Sequence, residues 1–112
     1  MEHHRLNAYH IMWLFVMFDL PVMSKIQRKR AAQFRKNLEK DGFCMWQYSV
    51  YIRHCASKES MEVHIRRLKA LVPPEGKISV VQITDKQYGN IINIWGKIEK
   101  IHKPVPRQLE LF

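Results

Sequence analysis

No stretch of this 112-residue chain is apolar for long enough to cross a bilayer as a helix. Its longest apolar run, Ile11–Phe18 (IMWLFVMF), has eight residues, against the roughly 20 that a spanning helix needs. Asp19 and Pro21 close that run and no small-x-small cleavage site follows. A secretory signal is therefore set aside, and a cytoplasmic protein with no membrane partner is expected. Cysteine is scarce, with only Cys44 and Cys55 present. If residues 43–54 form a hairpin turning near Gln47-Tyr48, Cys44 faces about Tyr51 and cannot reach Cys55. Free thiols in a reducing compartment are the expectation. The six histidines are scattered, His3 and His4 in a polar leader, and no His/Cys spacing matches a zinc site. No internal repeat is present, and no Ser/His/Asp or Cys/His arrangement points to nucleophilic catalysis.

Acidic residues are also few. Ten Asp and Glu stand against 19 Lys and Arg, for a net charge of +9. That balance suits a polyanion, of which nucleic acid is the commonest; a solvated basic surface with no partner is the weaker alternative on charge alone. A 46% hydrophobic content supports one packed domain, placed at 11–96 between a polar lead-in (1–10) and a tail (97–112).

The element order reads as strand, helix, strand, strand, helix, strand. The first strand spans about 11–19. Ser24 with Gln27 forms a capping box that opens a helix whose buried stripe is Ala31, Phe34 and Leu38, and Gly42 ends it. Strands over 43–47 and 49–54 follow. Ser57 caps a second helix with Met61, Ile65, Leu68 and Val72 on one face, stopped by Pro73-Pro74. A strand over 77–85 and a further one at 91–95 complete the pattern. Right-handed connections on this order give an α+β fold, the ferredoxin-like βαββαβ sandwich with an extra C-terminal strand.

Such a sheet has helices on one face only, so its strands should alternate apolar and polar residues. The first strand does not. Its second face, Trp13, Phe15 and Met17, calls for another layer, and the simplest is a second copy packed sheet face to sheet face in a homodimer. Strand parity puts Asp19 on that same face. Two readings of Asp19 stand side by side. Paired with its symmetry mate it offers the two carboxylates that Mg²⁺ accepts, for phosphodiester hydrolysis; alone, it is a strand-end residue that begins the turn at Leu20-Pro21.

Four segments, VMFDLP (16–21), FRKNLEKDGF (34–43), QYSVY (47–51) and QITDKQY (82–88), together resemble CRISPR-associated endonuclease family two, the smaller of the two nearly universal spacer-acquisition proteins. FDLP and ITDKQY look like its type II branch. The resemblance implies a ferredoxin-like homodimer with Mg²⁺ held across the interface by the strand-one Asp, here Asp19. It implies metal-dependent nuclease activity on RNA or double-stranded DNA, and a bridging role between integrase subunits while the dimer holds duplex DNA by its backbone. Ser49 and Tyr51 match the family's strand-three motif; Ser49 is expected beside Asp19 as a supporting group, not a nucleophile. Phosphate contacts are expected from Lys25, Arg28, Lys29, Lys36 and Arg53. The tail, ending in Leu109, Leu111 and Phe112, is expected to dock on the integrase as an added strand. Three other readings are kept: a non-catalytic DNA-binding scaffold with a vestigial metal site, an RNA-recognition motif, and a basic ferredoxin-like domain unrelated to CRISPR. The second is weak, because strand three offers only Tyr51 for base stacking.

Overall fold

The computed structural model describes residues 11–98. Four antiparallel strands, β1 (Met12–Asp19), β2 (Cys44–Gln47), β3 (Val50–Cys55) and β4 (Lys77–Thr84), form one sheet in the order β2-β3-β1-β4. Helices α1 (Lys25–Lys40) and α2 (Lys58–Leu71) connect them, and a short helix, α3 (Asp85–Gly89), follows β4. The expected α+β order is present, with β1 central.

The local signals act as expected in both long helices. At α1 the Gln27 N–H donates to Ser24 Oγ at 3.1 Å while the Ser24 N–H donates to Gln27 Oε1 at 3.0 Å, which satisfies two otherwise orphaned donors. Ala31, Phe34 and Leu38 are buried. Gly42 leaves the helix at φ +87°, where a Cβ would also come within 3.1 Å of the Arg53 guanidinium. Ser57 caps α2 by accepting from the Ser60 N–H at 3.0 Å. The buried face of α2 differs from the expected one: Met61, His64 and Leu68 are buried, while Val72 is exposed at the C-cap. His64 occupies the i+3 place of that stripe.

The two faces of β1 belong to different clusters. Met12, Leu14, Val16 and Phe18 pack with Phe34, Leu38 and Leu68 under the helices. Trp13 and Phe15 join Ile52, Trp46 and Tyr88 on the other side. Two expectations are corrected here. Residues 91–96 form no strand, because Thr84 and Gln87 make a second capping box that turns the chain into α3; Ile92 and Ile94 are left exposed. The layer over Trp13 is then the chain's own α3, not a second copy: Tyr88 stacks on the indole at 3.8 Å and 8°, and the indole N–H donates to Asp85 Oδ1 at 2.8 Å. Phe15 is only half-buried and Met17 is 39% exposed, so this cover stops before Asp19.

The β2–β3 hairpin also differs by one residue. Cys44 pairs with Ile52, Met45 with Tyr51 and Gln47 with Val50, with a bulge between Met45 and Gln47. The turn falls at Tyr48-Ser49, since the bulge absorbs the extra residue. Both cysteines are free, as expected.

One polar cluster ties the helices together. Asp41, at the C-cap of α1, accepts from His64 Nδ1 and from Arg67 Nη1, each at 2.7 Å. Burial works to raise the Asp41 pKa, but the hydrogen bonds and charges of His64 and Arg67 outweigh it, and the net direction is down. A lowered carboxylate pKa stabilises the fold above the unfolded value and loses that contribution as pH falls through the folded one. The stability advantage of the native chain over Asp41→Asn is therefore expected to close as pH drops below the ordinary aspartate value of 3.8. Urea unfolding of both chains across that range checks it; a gap that widens in acid contradicts it.

Candidate functional site

Asp19 ends β1 on the face that α3 leaves open. It lies opposite Lys77 in the β1–β4 register and is exposed, and its side chain makes no hydrogen bond or ion pair among the described residues. Gly76 shapes this strand end: at φ +102°, a Cβ there would meet the Asp19 carbonyl oxygen at 2.8 Å and Leu20 Cδ2 at 2.7 Å. Only glycine fits both the angle and the space.

The hairpin tip reaches the same end of the sheet. The Phe18 N–H donates to the Ser49 carbonyl at 3.1 Å, so the main chain of Ser49 abuts the residue before Asp19. Ser49 is the one described non-glycine residue with positive φ, at +69°. Its hydroxyl is directed to the helix side, where it accepts from Arg35 Nη2 at 3.5 Å. Arg35 contacts two rings, its guanidinium carbon 5.3 Å from the Phe18 centroid and 4.5 Å from that of Tyr48. Its Nε is buried with no acceptor among the described residues. Asp19 thus lies at the same end of the sheet as Ser49, Arg35 and Tyr48, but on the open face, with Arg35 and the Ser49 hydroxyl on the helix side.

The basic candidates divide into two kinds. Lys25, Lys29 and Lys36 are exposed along α1 and present solvated charge. Arg28 is exposed but turned back on its own chain, donating to the Val22 and Met23 carbonyls at 3.0 and 3.2 Å. Arg53 is an internal brace: its Nε donates to the Asp41 carbonyl at 2.7 Å and its Nη1 to the His54 carbonyl at 2.6 Å. Leu109, Leu111 and Phe112 lie outside the described residues, as does the whole lead-in at 1–10.

Among the described residues no three His, Cys, Asp or Glu side chains cluster in a way that could hold a metal ion. The other carboxylate near this end, Glu75, is turned to Arg30 and Gln27 on α1, so Asp19 is the one on the open face of β1. Two features escaped the sequence reading. Arg35 stands at the i+4 place of the Ala31, Phe34, Leu38 stripe, and His64 at the i+3 place of the α2 stripe. A polar residue inside a buried stripe was the available signal in both cases.

At the opposite end of β1, the His54 ring sits edge-on to Trp13 at 5.1 Å. Burial pulls its pKa down, Asp85 pulls up and Arg53 down, and the net direction is down. No described helix is long and apolar enough to cross a membrane.

Comparisons with known proteins bear on both ends. The family described as CRISPR associated protein Cas2 matches residues 12–91, from the start of β1 past α3. A Flavobacterium psychrophilum protein named CRISPR-associated endoribonuclease Cas2 is 49% identical over 99% of this chain and 97% of its own length. A protein of the same name from Parvibaculum lavamentivorans is 50% identical over 90% of this chain and all of its own. A solved structure titled "Crystal structure of cas2" superposes with a TM-score of 0.56 at 21% identity, covering 87% of this chain and 97% of that one; it speaks for the fold alone.

Proposed function

Because the chain belongs to the Cas2 family of CRISPR-associated proteins, a family of nucleases, we propose that it works as a homodimer whose paired Asp19 carboxylates form a metal-dependent phosphodiesterase site. The observation that carries this reading is the uncovered half of the β1 face. Tyr88 covers Trp13, but Met17 and Val81 are each 39% exposed and lead directly to Asp19. A second copy seated there buries apolar surface and brings up the second carboxylate that one chain lacks.

The donor set suits a hard cation only in that pair. One exposed carboxylate with water fits Mg²⁺ poorly; two carboxylates with several waters suit it. Bound there, Mg²⁺ would polarise a phosphate and lower the pKa of a water. The protein's own part is to hold Asp19 at a rigid strand end, with Gly76 tight against its carbonyl. Ser49 supports that end through its main chain, fixed by the Phe18 N–H. Lys25, Lys29 and Lys36 supply phosphate contacts that read no sequence. In the same reading the dimer serves spacer acquisition in the cytoplasm, bridging integrase subunits on double-stranded DNA, with residues 97–112 docking on the integrase through Leu109, Leu111 and Phe112. The type II branch remains the assignment that FDLP and ITDKQY favour.

One observation favours a second reading, a DNA-binding scaffold with a vestigial site: Lys77 stands opposite Asp19 and supplies positive charge where a metal would. Chelation separates the two. Addition of EDTA is expected to stop hydrolysis of RNA and DNA substrates, with full recovery on excess Mg²⁺. Cleavage that survives chelation removes the metal reading, and no cleavage under any metal leaves the scaffold.

A further inference from the structure

Arg35 is a partly buried cation with little polar compensation. It is half-buried and makes no ion pair among the described residues. Its one hydrogen bond is the 3.5 Å contact to Ser49 Oγ, and its buried Nε has no acceptor. Glu39, one turn further along α1, and Arg35 both act on the Tyr51 hydroxyl, but no ion pair joins the two. A partly buried guanidinium without a counter-charge is costly, and its fork of donors matches a phosphate.

Tyr48 adds the second half of a site. It projects from the hairpin tip 76% exposed, although the guanidinium lies 4.5 Å from its ring centre. Phe18 contacts the same guanidinium at 5.3 Å. A loop-tip tyrosine normally rotates freely; here the cation beneath it restricts the ring and leaves its outer face open. The tip itself is held by Ser49 at φ +69°, a conformation that costs energy for a residue with a Cβ.

We propose that Arg35, Tyr48 and Ser49 form a clamp for one unpaired nucleotide at the end of the sheet that also carries Asp19, with the base stacked on the outer face of Tyr48 and the phosphate held by the Arg35 guanidinium. Paired bases are already stacked within a duplex, so the clamp takes a nucleotide from a single strand or a frayed end. Its purpose, presenting a flanking phosphate to Asp19, rests on the nuclease reading above; binding itself does not.

The test uses the full-length protein in EDTA, with a single-stranded oligonucleotide carrying 2-aminopurine and the same sequence as a blunt duplex. The native chain is expected to quench the fluorescent base in the single strand. Tyr48→Ala should abolish the quench and weaken single-strand binding about 10-fold, in line with loss of one base–aromatic stack, and leave duplex affinity unchanged. Tyr48→Phe should keep both signals. Arg35→Gln should weaken single-strand binding and flatten its salt dependence by about one phosphate contact. The clamp is overturned if Tyr48→Ala binds the single strand as the native chain does, or loses single strand and duplex alike. The nuclease reading fails separately: a chain that quenches but never cleaves keeps the clamp and loses the nuclease, while normal cleavage without quenching does the reverse.

Discussion

Asp19→Ala is expected to lower Mg²⁺-supported hydrolysis about 100-fold or more, to the background of the assay. The loss corresponds to about 3 kcal/mol of transition-state stabilisation, within what metal-assisted phosphoryl chemistry supplies. In a two-fold dimer each substitution removes both carboxylates at once, so no half-active site survives. The fold should be intact, because Asp19 is exposed and its side chain makes no hydrogen bond or ion pair among the described residues. Asp19→Asn keeps the shape and removes the charge, and it should be equally inactive if the charge is what matters. Nucleic-acid binding in EDTA should be unchanged in both variants. Cleavage retained by Asp19→Ala would place the chemistry elsewhere, and the open half of the β1 face would then be an interface only. Integration of new spacers that survives the loss of hydrolysis would show that bridging and cleavage are independent.

Trp13→Ala is expected to cost about 3–5 kcal/mol of stability, the range for removing a large buried aromatic side chain. The indole is fully buried, stacks on Tyr88 and donates to Asp85. Its removal therefore opens a cavity and takes away a hydrogen bond in one step. Tyr88→Ala should cost less, since the Trp13 ring can then meet water on one side only. Urea midpoints of the three chains check this order. A loss below about 1 kcal/mol for Trp13→Ala would mean that α3 does not pack on the sheet in solution. The two sites should not interact: Trp13 and Asp19 lie at opposite ends of one 8-residue strand, so Trp13 variants that remain folded should keep the Mg²⁺ requirement.

Much of this architecture was legible in the chain because its signals are local. Ser24 with Gln27, Ser57 and Gly42 mark helix ends through hydrogen bonds that span three or four residues, and those ends fall where they were expected. The helix-side stripe of α1 follows from the helical period. The missing alternation in Ile11–Phe18 correctly announced that both faces of the first strand are covered or in need of cover, and parity correctly set Trp13, Phe15 and Met17 apart from Leu14, Val16 and Phe18.

The sequence by itself thus determined the order of elements from β1 to β4, the central strand and the face to which each of its residues belongs, because caps and periods act within a turn or a strand. Only the tertiary structure decided what lies on those faces. The Thr84–Gln87 box was readable, yet that it folds Tyr88 back over Trp13, 75 positions away along the chain, depends on how β4 delivers α3 to the sheet. The one-residue bulge that moves the turn to Tyr48-Ser49 is equally non-local, since it sets Tyr48 over a guanidinium from another element. Asp19 carries both lessons. Its place at the end of an unusually apolar strand came from the chain, and its openness on a half-covered face came from the fold, because burial is a property of surfaces that meet across long separations.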